Sequence, residues 1–300
     1  MRRNIEFKTE DGVTLRGWFY PGVGAAGAAP TIIMAHGFSA TKEMYLDKFA
    51  EVFSEAGLNA LVYDNRNLGE SDGKPRQHID PWKQISDYRD AITYAVSLKE
   101  VDENRIGVWG SSYSGGHTIV VAAIDRRVKC VVSQVPLISG LRNVKRLIRS
   151  DVLPAVRANF DMDRASRYAG NPPAIIPVVG VNPGDPCALP TEDSRKFFLE
   201  TCKTLAPSWR NEVTLHSVEL FTEYEPGWYI RNICPTPFML IVALGDTLVP
   251  SEIACEAYEQ ALEPKKLLLL PGGHFDAYVS PAFEISSAGQ RDWFVKHLKP

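Results

Sequence analysis

Short, continuously apolar runs alternate with longer stretches of helical periodicity along most of this chain. Residues 31–35, 59–64, 105–109 and 128–135 read as strands, and residues 45–56, 80–98 and 114–124 as the helices between them. Strands apolar on both faces cannot have one face in water. With helices interleaved, they predict a parallel sheet covered on both sides. The N-terminus differs. Phe7 and the alternating run 13–19 flank Glu10-Asp11-Gly12, which has the turn chemistry of a hairpin and predicts an antiparallel edge. Residues 22–29, rich in glycine and alanine, form a flexible connection to the first parallel strand.

From 136 to 232 the rhythm breaks, with prolines spread through the stretch. A segment of this length is too long for a structureless loop in a compact domain, so it is expected to fold as a cap over the core. Two more apolar runs, 236–244 and 266–270, then restore the alternation, followed by helical patterns at 251–261 and 283–298. The expected organisation is a core of residues 1–135 and 233–300 with a cap at 136–232.

Several strand ends carry chemistry. Residues 105–109 lead into Gly110-Ser111-Ser112-Tyr113-Ser114-Gly115-Gly116, a tight strand-to-helix bend flanked by small residues that would lift Ser112 out of the sheet as a nucleophile. A serine hydroxyl needs a base and an orienting acid. Run 236–244 ends at Gly245-Asp246, and run 266–270 at Pro271-Gly272-Gly273-His274, so Asp246 is the candidate acid and His274 the candidate base. Asp276 is close in sequence to His274 but ends no strand. The order Ser, Asp, His is that of α/β-hydrolases and not of the chymotrypsin or subtilisin types. Residues 31–35 end in His36-Gly37-Phe38, placing the Phe38 N–H as one oxyanion donor and the Tyr113 N–H, at a helix start, as the other. His36, Asp64 and Asp72 are read as shaping loops and turns.

These motifs resemble the α/β-hydrolase-fold serine hydrolases along nearly the whole chain. Asp64-Asn65-Arg66-Asn67-Leu68-Gly69-Glu70-Ser71-Asp72-Gly73 is similar to the superfamily's D-x-R-G-x-G-x-S-x-G segment, with Asn67 in place of a glycine. The nucleophile turn has Ser114 where strict G-x-S-x-G has glycine, and this variant resembles the Xaa-Pro dipeptidyl-peptidase and cocaine-esterase branch. Within that branch the N-terminal hairpin, His36-Gly37-Phe38-Ser39 and the length resemble the fungal polyketide transferase and thiohydrolase group. The resemblance implies a mostly parallel eight-stranded sheet with helices on both faces. It also implies acyl chemistry on an ester or thioester, with a bulky apolar or polyketide-type acyl group, free or carried on a carrier protein. Hydrolysis, acyl transfer and cyclisation use the same residues, and a non-catalytic pocket on the same fold is the rival class. Epoxide hydrolysis and dehalogenation are disfavoured, because there the fold uses a carboxylate where this chain has Ser112.

Composition narrows the partners. A net charge of −3 over 300 residues supplies no basic field for nucleic acid or an anionic membrane. No apolar run approaches the ~18 residues of a membrane span. Five cysteines without a C-x-x-C pair, and no leader-like N-terminus, point to the cytoplasm. The scattered histidines favour neither a metal nor a cofactor. Arg142, Lys145, Arg146 and Arg149 recur at helical spacing and are read as a solvated helix face rather than an anion site. Phe160, Tyr224, Trp228 and Tyr229 are weighed as pocket lining against the cap's own core, with the core favoured.

Overall fold

The structure is a computed structural model describing residues 2–299. Strands β1 (Arg3–Lys8) and β2 (Thr14–Tyr20) form the expected hairpin, and Gly12 takes the positive φ of 86° that its turn requires. β3 (Ala29–Ala35), β4 (Asn59–Tyr63), β5 (Val101–Ser111) and β6 (Val128–Gln134) then alternate with α1 (Leu46–Glu55), α2 (Pro81–Val96) and α3 (Tyr113–Ile124). After residues 136–232 come β9 (Phe238–Ala243), α8 (Ser251–Gln260), β10 (Lys265–Leu270) and α9 (Ala282–Leu298).

The eight long strands make one sheet in the order β1-β2-β4-β3-β5-β6-β9-β10. The β1/β2 and β2/β4 pairs are antiparallel and the rest parallel. The chain passes from β3 outward to β4 on one side, then returns to add β5 and β6 on the other. A crevice therefore opens beyond the carboxyl ends of β3 and β5, the place where open α/β sheets bind ligands. Every residue of β3, β4 and β9 is buried, which is why these strands read as unbroken apolar runs. α3 is buried from Tyr113 to Ala123, clasped between β5 and β6 on one side and α2 and residues 226–232 on the other.

Residues 136–232, expected to be a cap, hold α4 (Gly140–Leu147), α5 (Leu153–Tyr168), α6 (Glu192–Thr204) and α7 (Leu215–Glu223). They also hold the two-residue strands β7 (Ile175–Ile176) and β8 (Val213–Thr214) and a short 3-10 helix, Pro226–Asn232. The expected basic face is exposed, and only its extent changes. α4 ends at Leu147, so Arg149 lies beyond it and pairs with Asp151, while Arg142 and Arg146 face Glu256 and Glu252 on α8. These are pairs between solvent-exposed side chains. Among the described residues no helix is long and apolar enough to cross a membrane, and all five cysteines are free.

Candidate active site

β5 runs directly into α3 through Ser112, whose φ of 59° and ψ of −118° put a non-glycine residue in a conformation that costs roughly 1–3 kcal/mol. The surroundings hold it there. Ser112 N–H donates to Gln134 O at 2.8 Å, and Ser112 O accepts from Gly116 N–H at 3.2 Å and Leu137 N–H at 3.0 Å. The flanking glycines are required by space. A Cβ on Gly110 would sit 2.2 Å from Ser114 O, and one on Gly115 would sit 3.0 Å from Gln134 O.

His274 Nε2 lies 3.0 Å from Ser112 Oγ, and His274 Nδ1 lies 2.6 Å from Asp246 Oδ2. A carboxylate only accepts, so Nδ1 carries the proton and Nε2 is left to accept from the serine. The other carboxylate oxygen of Asp246 accepts from Leu248 N–H at 2.9 Å and Val249 N–H at 2.7 Å, which fixes its plane. Asp276 turns away. Its carboxylate accepts from Gly273 N–H at 2.6 Å and shapes the loop that presents His274.

The loop after β3 lies against Ser112. A Cβ on Gly37 would be 2.8 Å from Ser112 Cβ, and among the described residues the Phe38 and Tyr113 N–H groups bond no protein acceptor. Both are free to face an anion at Ser112. Ser114, in the position of the usual glycine, donates its hydroxyl to His36 O, which also accepts from Asn65 Nδ2 at 2.9 Å, so elbow and loop are tied together. His36 bonds Met44 O through Nε2 and accepts from Gly37 N–H at Nδ1, the shaping role expected of it. Burial lowers its pKa to about 4, so it stays neutral beside the site.

Beneath Ser112 runs a buried polar network. Tyr278 OH and Gln134 Nε2 both donate to Ser111 Oγ, and Gln134 Oε1 accepts from Ser286 and Gln290 of α9. It anchors the carboxyl end of β5 from behind.

Asp64 does more than shape a turn. Its carboxylate receives the Lys42 ammonium at 2.7 Å and the backbone N–H groups of Lys42 and Glu70. Glu43 and Glu70 also bond that ammonium. Burial opposes the Lys42 charge, but Asp64 beside it holds the pKa above the usual lysine range. The three carboxylates lie close enough together to resemble a metal site, with the lysine bonded to each of them. Asp72, the other expected turn former, pairs with Arg16 at 2.7 Å. Asn67, in place of the resembled family's glycine, takes a φ of 69°, the left-handed region that explains a glycine there and that asparagine tolerates.

Over Ser112 lies a cavity of about 20 Å³, room for about one water. Its walls are Phe38, Leu248 and Phe275 from the core and Leu189, Phe198 and Phe221 from the 136–232 segment. The aromatic residues weighed from sequence are elsewhere. Trp228 is 81% exposed, and Phe160, Tyr224 and Tyr229 do not line the cavity. Of the wall phenylalanines, Phe198 and Phe221 carried no sequence signal beyond ordinary helix patterning.

The X-Pro dipeptidyl-peptidase family (S15 family) is matched over residues 11–276. The chain is 34% identical to a thiohydrolase of Eupenicillium brefeldianum over 98% of its own length and 94% of the relative's. It is 33% identical to the polyketide transferase grgF of Penicillium sp, covering 99% and 97% of the two chains. The crystal structure of the α/β-hydrolase GrgF from Penicillium sp. sh18 superposes with a TM-score of 0.85 at 30% identity, covering 100% of both chains.

Proposed function

The chain belongs to the S15 family of α/β-hydrolase-fold proteins, and on that premise we propose that it is a serine enzyme of acyl chemistry acting through an acyl-enzyme. The observation that carries this reading is the unbroken hydrogen-bonded line from Ser112 through His274 to Asp246 under an apolar cavity.

Ser112 Oγ attacks an ester or thioester carbonyl as its proton passes to His274 Nε2. Asp246 holds the imidazole and stabilises its positive form. The tetrahedral oxyanion is received by the N–H groups of Phe38 and Tyr113, aided by the N-terminal dipole of α3. Collapse expels the alcohol or thiol, which leaves with the proton from His274. Water or another acceptor then gives its proton to His274 as it attacks the acyl-enzyme; the acyl–Oγ bond breaks, and His274 returns the proton to Ser112 Oγ.

The preferred substrate is a largely apolar acyl group of polyketide type, as the wall of Phe38, Leu189, Phe198 and Phe221 and the names of the relatives suggest. A bulky chain does not fit a space of about 20 Å³, so binding requires the 136–232 segment to move as a cap. The same closure favours a second reading, transfer to an alcohol, amine or thiol, because a dry site suppresses hydrolysis of the acyl-enzyme.

A fluorophosphonate probe should label Ser112 by peptide mass spectrometry, and Ser112→Ala should lower kcat on p-nitrophenyl acetate ~10³-fold or more. An active S112A enzyme, or a label on Ser111 or Ser114, overturns the assignment. Product partition with added alcohols and thiols separates hydrolase from transferase.

A further inference from the structure

A second pocket of about 260 Å³ lies behind the oxyanion loop. Ser39 and Thr41 are in its floor, Trp209 forms a wall, and Arg76 and Arg210 stand at its mouth. It is separate from the cavity over Ser112 but shares a loop with it, since Phe38 and Ala40 line that cavity while Ser39 and Thr41 line this one. Trp209 Nε1 donates to Ser39 O at 2.9 Å, and the Trp209 ring stacks on Phe198 of the catalytic cavity at 5.1 Å.

Two features are unusual for an ordinary surface dimple. Ser39 is only 1% exposed and its hydroxyl has no hydrogen-bond partner within the protein, whereas the buried Thr41 hydroxyl lies against the Glu43 carboxylate. Buried hydroxyls without partners are rare and mark a place where a ligand or water completes the bonding. In addition, neither arginine at the mouth is ion-paired among the described residues. Arg76 donates to the carbonyls of Ser71 and Gly69, and Arg210 makes no side-chain hydrogen bond. The nearby acids are already engaged, Asp72 with Arg16, and Asp64 and Glu43 with Lys42. Burial, with Arg210 adding repulsion against the pull of Asp72 and Asp64, lowers the pKa of Arg76. An anion between the two guanidinium groups would relieve both effects.

We propose that this pocket binds a phosphate-type oxyanion, gripped by Arg76 and Arg210 above the Ser39 hydroxyl. The phosphate comes either from a pantetheine-type thioester carrier, which would extend the substrate past the oxyanion loop, or from free inorganic phosphate bearing on that loop. Only the carrier form rests on the acyl chemistry proposed above.

Calorimetric titration of the intact protein with inorganic phosphate, against chloride at equal ionic strength, tests the site without turnover. Phosphate should bind and chloride should not. Arg210→Gln should weaken phosphate binding at least about tenfold, with Arg210→Lys retaining most of it. Arg210 is the first choice because its side chain supports no other bond, and an unchanged thermal unfolding curve without phosphate verifies the fold. No phosphate binding above the chloride control, or wild-type binding by both R210Q and R76Q, overturns the site. The source is read from kcat/KM on acetyl-4'-phosphopantetheine against acetyl-pantetheine. A preference of about tenfold for the phosphorylated thioester that R210Q abolishes assigns the phosphate to the substrate. Equal rates with phosphate binding intact assign the site to the free ion.

Discussion

Gly37→Ala is the most economical test of how tightly the site is built. The added methyl would sit 2.8 Å from Ser112 Cβ, 2.9 Å from Ser111 O and 3.3 Å from Ser112 Oγ, whereas ordinary contact begins at 3.4 Å. Two of those atoms are about half an ångström too close, and neither can swing aside: Ser111 O is backbone, and Ser112 Cβ sits on an elbow held by three backbone hydrogen bonds. The loop carrying Phe38 must retreat or the serine must move. Either change spoils the distance between the Ser112 hydroxyl and the Phe38 and Tyr113 N–H groups proposed to receive the oxyanion. Misplacements near an ångström cost about 10²-fold in rate, so kcat/KM on p-nitrophenyl acetate should fall ~10–10²-fold. Overpacking should lower stability by about 1–3 kcal/mol, read from urea unfolding. Gly24→Ala, with nothing within 4 Å of its Cβ but a positive φ of 74°, controls for the backbone effect and should leave kcat/KM unchanged. A G37A enzyme with wild-type kcat/KM and an unshifted urea midpoint would refute the close approach of loop and elbow.

Asp246→Asn should lower kcat ~10³-fold or more while Asp276→Asn stays within about threefold, since only the former touches His274; steady-state kinetics on the two variants checks this, and the reverse pattern would reassign the acid. Phe221→Ala should enlarge the cavity and shift preference toward longer p-nitrophenyl esters, by about 0.8 kcal/mol, or about fourfold, per methylene accommodated; a chain-length profile that overlays the wild type places the acyl group elsewhere. Fully buried His117 bonds Tyr224 OH and Gln84 Oε1, and burial lowers its pKa to about 3. Its unfolded form protonates first below pH ~6.5, so the stability that neutral His117 contributes is complete above that pH and is lost as pH falls. The difference in unfolding free energy between wild type and His117→Gln should therefore shrink by roughly 1.4 kcal/mol per unit between pH ~6 and ~4. Asp64 and Asp87, which burial pushes up to about 6, act in the opposite direction but cancel in that difference. Parallel urea curves for the two proteins at pH 7 and pH 5 would contradict the depressed value.

Much of the architecture is local and therefore legible. The strand and helix alternation, the antiparallel hairpin closed at Gly12, and the placement of Ser112, Asp246, His274 and Phe38 on loops after strands all follow from burial patterns and turn residues within a few positions. β5 extends from Val101, four residues before its apolar run, because buried Val101 pairs with Ala29 across an irregularity that leaves the polar residues 102–105 out of the ladder before Ile106. α4 stops short of Arg149, since the chain turns into extended backbone at Ile148.

Chain order along the sheet told which strand ends would carry a serine, an acid and a base, because each strand end is specified by residues adjacent to it. It could not tell that Ser114 would reach the carbonyl of His36, that Lys42 would be buried among Asp64, Glu43 and Glu70, or that Phe198 and Phe221 would close the space over Ser112. It also could not bring Arg76 within range of Arg210. These contacts join side chains far apart along the chain. They are decided by how the 136–232 segment packs onto the sheet and by which charges find partners before they are sealed from water, and a pattern of apolar and polar positions specifies which face is buried but not what meets it there.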